Sequence, residues 1–235
     1  MKHQRPSLVK KCIIKIKNIL KKTIKNLFLF FNDCKKKKLE KIEPFTIIAN
    51  NCIAGFLYQK FNIKYYSPTI GLQFSQEDFV KFCSNFWHYI NFELEESEDK
   101  KQEKFSSLGG EKINFPVGRI DDLVIYFQHY QTFENAREKW NERKLRIDKS
   151  KLFFIFVVYD NTSIQTIKAF ESLPLKNKLI LTNDETYASP IVFALHNRKN
   201  PWYEKINKTR FSKKYYEKYN FYKWIIKNCN RNNCT

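Results

Sequence analysis

The sequence predicts an α/β fold, a mostly parallel sheet flanked by helices, with a basic amphipathic helix at its N-terminus. Three observations carry that prediction. Short apolar runs of strand length alternate with helical stretches along residues 42–197. One run, Leu152-Phe153-Phe154-Ile155-Phe156-Val157-Val158-Tyr159, is apolar throughout, which suits a central strand covered on both faces. The charge is partitioned, with a neutral body between two basic ends. The net charge of the chain is +19; residues 1–41 contribute +12, residues 198–235 contribute +9, and the body between them is close to neutral.

Three segments follow from this partition: 1–41, 42–197 and 198–235. In the first, Val9, Cys12, Ile13, Ile16, Ile19, Leu20, Ile24, Leu27 and Phe31 share one face of a helical projection. Lys10, Lys11, Lys15, Lys17, Lys21, Lys22 and Lys25 share the opposite face. Such a helix suits a membrane interface, and Lys35-Lys36-Lys37-Lys38 adds attraction to an anionic leaflet. Packing on the chain's own body, or nucleic-acid binding, would use the same pattern. Lysines interrupt every apolar stretch of signal-peptide length, and no run reaches the 18 apolar residues of a membrane span, so neither is expected.

The body opens with a strand, Phe45 to Ala49, which turns at Asn50-Asn51-Cys52 into a helix reaching about Phe61. Ser75 with Glu77 and Asp78 starts a helix to about Ile90. Residues 95–112 are charged and loop-like, and Leu123 to Phe127 is a second strand. Thr132 caps a helix from Phe133 to about Ile147, with Ala136, Trp140 and Ile147 on one side. The apolar run from Leu152 ends at Asp160-Asn161, and a helix follows to about Leu173. Lys178 to Leu181 is a buried strand, and Ile191 to Leu195 an edge strand. The last segment mixes aromatic and basic residues from Trp202 to Lys227. It suits core packing, a membrane boundary or base stacking.

The six cysteines include no CxxC pair, so they are expected to be incidental thiols of a reducing compartment. No phosphate-loop, dinucleotide or hydrolase signature occurs. The candidates are instead polar groups near strand ends, where open α/β sheets bind ligands. Asn50, Asn51 and Ser67 could hold sugar hydroxyls or simply stabilise turns. Lys139, Arg143 and Arg146 lie on one helix face suited to a diphosphate, unless Glu138 and Glu142 neutralise them. His129 has the chemistry of an acid/base group, and Asp160 is the best-placed carboxylate. Asp121 and Asp122 could hold a divalent metal, the one cofactor the sequence suggests, or cap a turn.

Several stretches occur in a familiar order: Asn50-Asn51-Cys52, Ser67-Pro68-Thr69, Pro116-Val117-Gly118 with Asp121-Asp122, then Phe127-Gln128-His129-Tyr130 and the helix Trp140 to Arg146. Over residues 44–190 the chain resembles a bacterial family of unknown function, domain nineteen-nineteen, often labelled exopolysaccharide or capsule biosynthesis protein. Ala54-Gly55 departs by one residue from the glycine pair that follows the first motif in that family. The resemblance implies a setting rather than a reaction. The expectation is a peripheral protein at the cytoplasmic face of the inner membrane, acting in surface-polysaccharide assembly. Its expected activity is glycosyl transfer from a nucleotide-activated sugar donor to a lipid-linked glycan acceptor, with nucleic acid disfavoured as a partner. The alternative is a non-catalytic scaffold of the same machinery, in which Asn50, His129, Arg143 and Asp160 would lie scattered.

Overall fold

The computed structural model describes residues 33–98, 114–159, 162–182, 187–194 and 219–231, together with 16, 17, 19, 20, 22 and 23. The chain divides into two compact units, residues 1–41 and 42–235. In the first unit the described residues are helical up to position 40, and Ile16, Ile19 and Leu20 are exposed. Among the described residues, no helix is long and apolar enough to cross a membrane.

The second unit holds two four-stranded sheets. Sheet A is parallel, in the order β1 (Thr46–Ala49), β6 (Leu152–Val157), β7 (Lys178–Thr182), β8 (Val192–Ala194). The continuous apolar run thus lies between two neighbours, as its composition predicts, and β8 is an edge. Sheet B is antiparallel, in the order β2 (Gln73–Phe74), β5 (Leu123–Tyr126), β4 (Val117–Ile120), β3 (Glu95–Glu96). Of sheet B, only β5 is legible as a strand in the sequence. The others are short or, in β4, carry a glycine where a strand pattern needs a side chain.

The helices follow their caps. Helix α1 (Ile53–Phe61) ends at Asn62 in the left-handed conformation. Helix α2 (Gln76–Ser84) starts where the Ser75 hydroxyl accepts from the Asp78 amide at 3.1 Å. The single helix expected here is two, because Asn85 at φ −131° leaves helical geometry and α3 (Phe86–Asn91) begins anew. Helix α4 (Phe133–Lys144) is capped by Thr132, whose hydroxyl accepts from the Asn135 amide at 3.2 Å. Helix α5 (Ile164–Ser172) connects β6 to β7. Helix α6 (Phe221–Arg231) buries Phe221, Ile225 and Cys229 on one face. Its Trp224 ring meets Phe153 of β6 edge-on at 5.1 Å. The described part of the basic C-terminal segment is therefore a packed helix, while the expected boundary at 197/198 lies outside the described residues.

The abundance of phenylalanine goes into the core. Phe79 stacks on Phe156 and Phe170, and Phe82 meets Phe74, Phe86 and Trp140. These contacts pack α2, α4 and α5 with both sheets, and ring pairs at such spacing add to the area they bury. Gly118 fits the same core: a Cβ there would lie 2.8 Å from both Leu94 Cδ1 and Phe127 Cε2. The Pro116-Val117-Gly118 motif is thus a packing requirement.

The outer edge of β1 is closed by side chains. Its inner edge pairs with β6, so alternate amides face away from the sheet. The Ile47 amide donates to the Tyr58 hydroxyl at 3.0 Å, and that hydroxyl donates to the Phe45 carbonyl at 2.9 Å. The Ala49 amide donates to Thr69 Oγ1 at 3.1 Å. Tyr58 from α1 and the Ser67-Pro68-Thr69 turn therefore do the work of a missing fifth strand.

Candidate active site at the carboxyl edge of sheet A

Two neighbouring strands, β1 and β6, run parallel and end together, and the residues after them meet the loops of sheet B. The Phe74 amide of β2 donates to the Asn50 carbonyl at 3.0 Å, which joins sheet B to the end of β1. Polar residues that are distant in sequence gather at this junction.

Asn50 is fully buried. Its Nδ2 donates to the Val157 carbonyl at 2.9 Å, and its Oδ1 accepts from the Val157 amide at 2.9 Å. One carboxamide thus replaces a peptide group and extends the β1–β6 ladder past the last residue of β1. Asn51 follows with a different arrangement. Its Oδ1 accepts from the Ile53 amide at 3.0 Å, in the first turn of α1, and its Nδ2 donates to the Tyr159 hydroxyl at 3.2 Å. The Tyr159 hydroxyl also accepts from Gln73 Nε2 at 3.3 Å, and Gln128 Nε2 donates to Gln73 Oε1. Burial holds the Tyr159 phenol well above its ordinary range, so it stays neutral and acts through hydrogen bonds.

Cys52 comes next and occupies the N-cap position of α1. Its Sγ lies 3.1 Å from Nε2 of His129. His129 stands in the loop after β5, where its backbone amide donates to the Gly71 carbonyl at 3.2 Å. Gly71 has φ +74°, and a Cβ there would come within 3.3 Å of His129 Cβ and 3.2 Å of Tyr130 Cε2. The glycine lets this loop approach closely enough to bring imidazole and thiol together. Cys52 is half-buried and His129 exposed, so the pair can be reached from solvent. Cysteine 52 is the residue that sequence reasoning misses. A single thiol carries no signal until the fold brings a histidine 77 positions away into contact.

Beside this pair, Tyr130 donates from its hydroxyl to the Ile70 carbonyl at 2.8 Å. Arg143 Nη1 donates to the same hydroxyl at 2.6 Å, and the guanidinium lies over the Tyr65 ring at 5.3 Å. Burial pushes the Tyr130 phenol up, and the Arg143 charge opposes that shift. Arg143 is thus tied to the edge of the cluster. Lys139 and Arg146, its expected companions, both bind Glu142: Lys139 Nζ at 2.9 Å, and Arg146 through Nη2. The Lys139 hydrogen bond, with Arg146 beside it, holds the Glu142 carboxyl below its ordinary range. The basic stripe is therefore partly neutralised before any ligand arrives.

The remaining candidates fall elsewhere. Ser67 is buried and bonded to Thr69, accepting from its amide at 3.1 Å with the two hydroxyl oxygens 3.0 Å apart. It supports the loop that closes β1. Asp121 and Asp122 form the turn between β4 and β5, where Asp121 takes the left-handed conformation at φ 53°. Asp121 pairs with His88 at 2.8 Å, while Asp122 binds Lys81 and accepts from the Tyr89 hydroxyl at 3.2 Å. The Lys81 hydrogen bond holds the Asp122 carboxyl below its usual value. Among the described residues, no three His, Cys, Asp or Glu side chains gather as a metal site would require. Asp160 lies outside the described residues.

The family model described as a domain of unknown function (DUF1919) matches residues 20–226. The match reaches beyond residues 44–190, the stretch that carries the motifs, and takes in much of both basic ends. An uncharacterised protein of Haemophilus influenzae strain Rd is 28% identical over 204 residues, covering 83% of this chain and 90% of the relative. The Cys52–His129 junction lies within both the motif-bearing stretch and the matched region, and the chain belongs to the DUF1919 family.

Proposed function

We propose that the protein is a membrane-associated transferase of surface-polysaccharide assembly, which moves a group from an activated donor to a lipid-linked glycan. The observation that carries this reading is the cluster at the carboxyl ends of β1 and β6. Amides, phenols, an imidazole and a thiol meet where open α/β sheets bind ligands. Amide and phenol groups are the partners that sugar hydroxyls need. The setting rests on the motif resemblance, and the membrane location on the lysine-rich amphipathic N-terminus with exposed Ile16, Ile19 and Leu20.

In its nucleotide-sugar form, this reading depends on Arg143. Lys139 and Arg146 are shared with Glu142, which leaves Arg143 as the cation nearest the cluster among the three. The test is calorimetric binding of nucleotide-activated sugars to wild type and Arg143→Lys. Alongside it, labelled donor is incubated with lipid-linked glycan in anionic vesicles. The lysine variant keeps the charge but loses the planar fork. The expected loss is about 1.5–3 kcal/mol, or roughly ten- to a hundred-fold in donor affinity. Label should pass to the lipid fraction with wild type. Donor binding that Arg143→Lys leaves unchanged, with no label transferred, would instead favour the scaffold reading.

A further inference from the structure

We propose that Cys52 is a nucleophile that carries an acyl group as a thioester, with His129 moving the proton. This inference takes its glycan acceptor from the transferase reading above, but its chemistry rests on the pair itself.

Three features of the fold support it. The first is contact: Sγ and Nε2 are 3.1 Å apart, within reach for proton transfer between thiol and imidazole. The second is position. Cys52 stands at the N-terminus of a nine-residue helix, whose partial positive charge favours thiolate. The third is support. Gly71 holds the His129 amide and leaves room for its Cβ, which sets the His129 backbone beside Cys52 from a separate loop.

The thiol–imidazole pair points to the group transferred. The described polar groups here are Asn51, Gln73, Gln128 and Tyr159 around a thiol and an imidazole. A thiol beside an imidazole is suited to attack on a carbonyl carbon, and the amides and phenol, bonded to one another, form the wall beside it.

The steps balance without an oxidant or reductant. The Cys52 proton passes to His129 Nε2 as Sγ bonds to the carbonyl carbon of an activated ester. The carbon–oxygen bond of the donor breaks, and the departing oxygen takes the proton from His129. An acceptor hydroxyl then gives its proton to Nε2 while its oxygen attacks the thioester carbon. The carbon–sulfur bond breaks, and the departing sulfur recovers the proton.

The test uses the full-length chain with p-nitrophenyl acetate as the acyl donor, read by intact mass and peptide mapping. Wild type is compared with Cys52→Ala, His129→Asn and His129→Gln, with thermal melts in parallel. Wild type should gain one acetyl group, at Cys52. Both His129 variants should melt like wild type and acylate about a hundred-fold more slowly or worse, the usual range for loss of a general base. Cys52→Ala should carry no adduct in that peptide. Acetylation spread over other residues with no preference for Cys52, or folded His129 variants that acylate at the wild-type rate, would overturn the proposal. Rapid acylation of Cys52 without transfer to glycan would uphold the thiol and remove the glycan acceptor. Sugar transfer by a protein whose Cys52 does not acylate would remove the thiol and leave the transferase.

Discussion

Replacing Asn50 by leucine distinguishes a ligand-binding residue from a structural one. Leucine keeps the branching and the number of side-chain heavy atoms but puts larger methyl groups in place of the amide oxygen and nitrogen, so any overpacking adds to the loss of the hydrogen bonds. It removes both bonds to Val157, at 2.9 Å each, at a position with no exposure to solvent. The Val157 amide and carbonyl face the β1 side of the sheet, past the point where β1 can pair with them. Each buried group left without a partner costs about 1–3 kcal/mol, so the pair together costs roughly 2–6 kcal/mol. That is a large part of the stability of an ordinary domain, about 5–15 kcal/mol. A central value of about 4 kcal/mol lowers the melting midpoint by roughly 8–16 °C for a chain of this size. The assay is reversible thermal and urea unfolding followed by circular dichroism. A change below about 0.5 kcal/mol, the ordinary range for a neutral surface position, would refute the ladder role and return Asn50 to ligand binding.

Three other substitutions probe separate parts of the account. Gly118→Ala forces a methyl to within 2.8 Å of Leu94 and Phe127, an overpacking worth about 1–3 kcal/mol; a melt identical to wild type would contradict that packing. Tyr58→Phe leaves the Ile47 amide and Phe45 carbonyl without their shared hydroxyl and should cost about 1–3 kcal/mol, with hydrogen exchange at Ile47 reporting the opened edge of β1. Replacing Ile16, Ile19 and Leu20 together by serine should cost roughly 2–4 kcal/mol of membrane binding, since each is just over half exposed at 57%, 57% and 55%. Sedimentation with anionic vesicles should then weaken about thirty-fold or more without a change in the melt of the body, and undiminished sedimentation would place the membrane contact elsewhere.

The sequence discloses what local chemistry controls and conceals what the fold assembles. Ser75 and Thr132 start their helices where their side chains can cap, and the apolar run from Leu152 lies inside a parallel sheet because nothing in it tolerates water. The break at Asn85 and the short strands of sheet B leave no comparable signal, since tertiary packing outweighs propensity there. The candidate site divides along the same line. Asn50 and Ser67 have the side chains of sugar ligands, yet their polar atoms are engaged by backbone and by Thr69, a fact that burial alone reveals. Lys139 and Arg146 share a face with Arg143 as their spacing requires, but Glu142 reaches both. His129 is a candidate on its chemistry alone. Its partner, Cys52, becomes one only through contact between the end of β1 and the loop after β5.

The central claim is that Cys52 and His129 act as one reacting unit, and a double-mutant cycle tests it most directly. Hydrolysis of p-nitrophenyl acetate is measured for wild type, Cys52→Ser, His129→Gln and the double variant, each verified as folded. Groups that act together lose their function once, so the double variant should be about as slow as the slower single one. Losses that multiply, with the double variant falling by the product of the two single effects, would show independent residues and contradict the account.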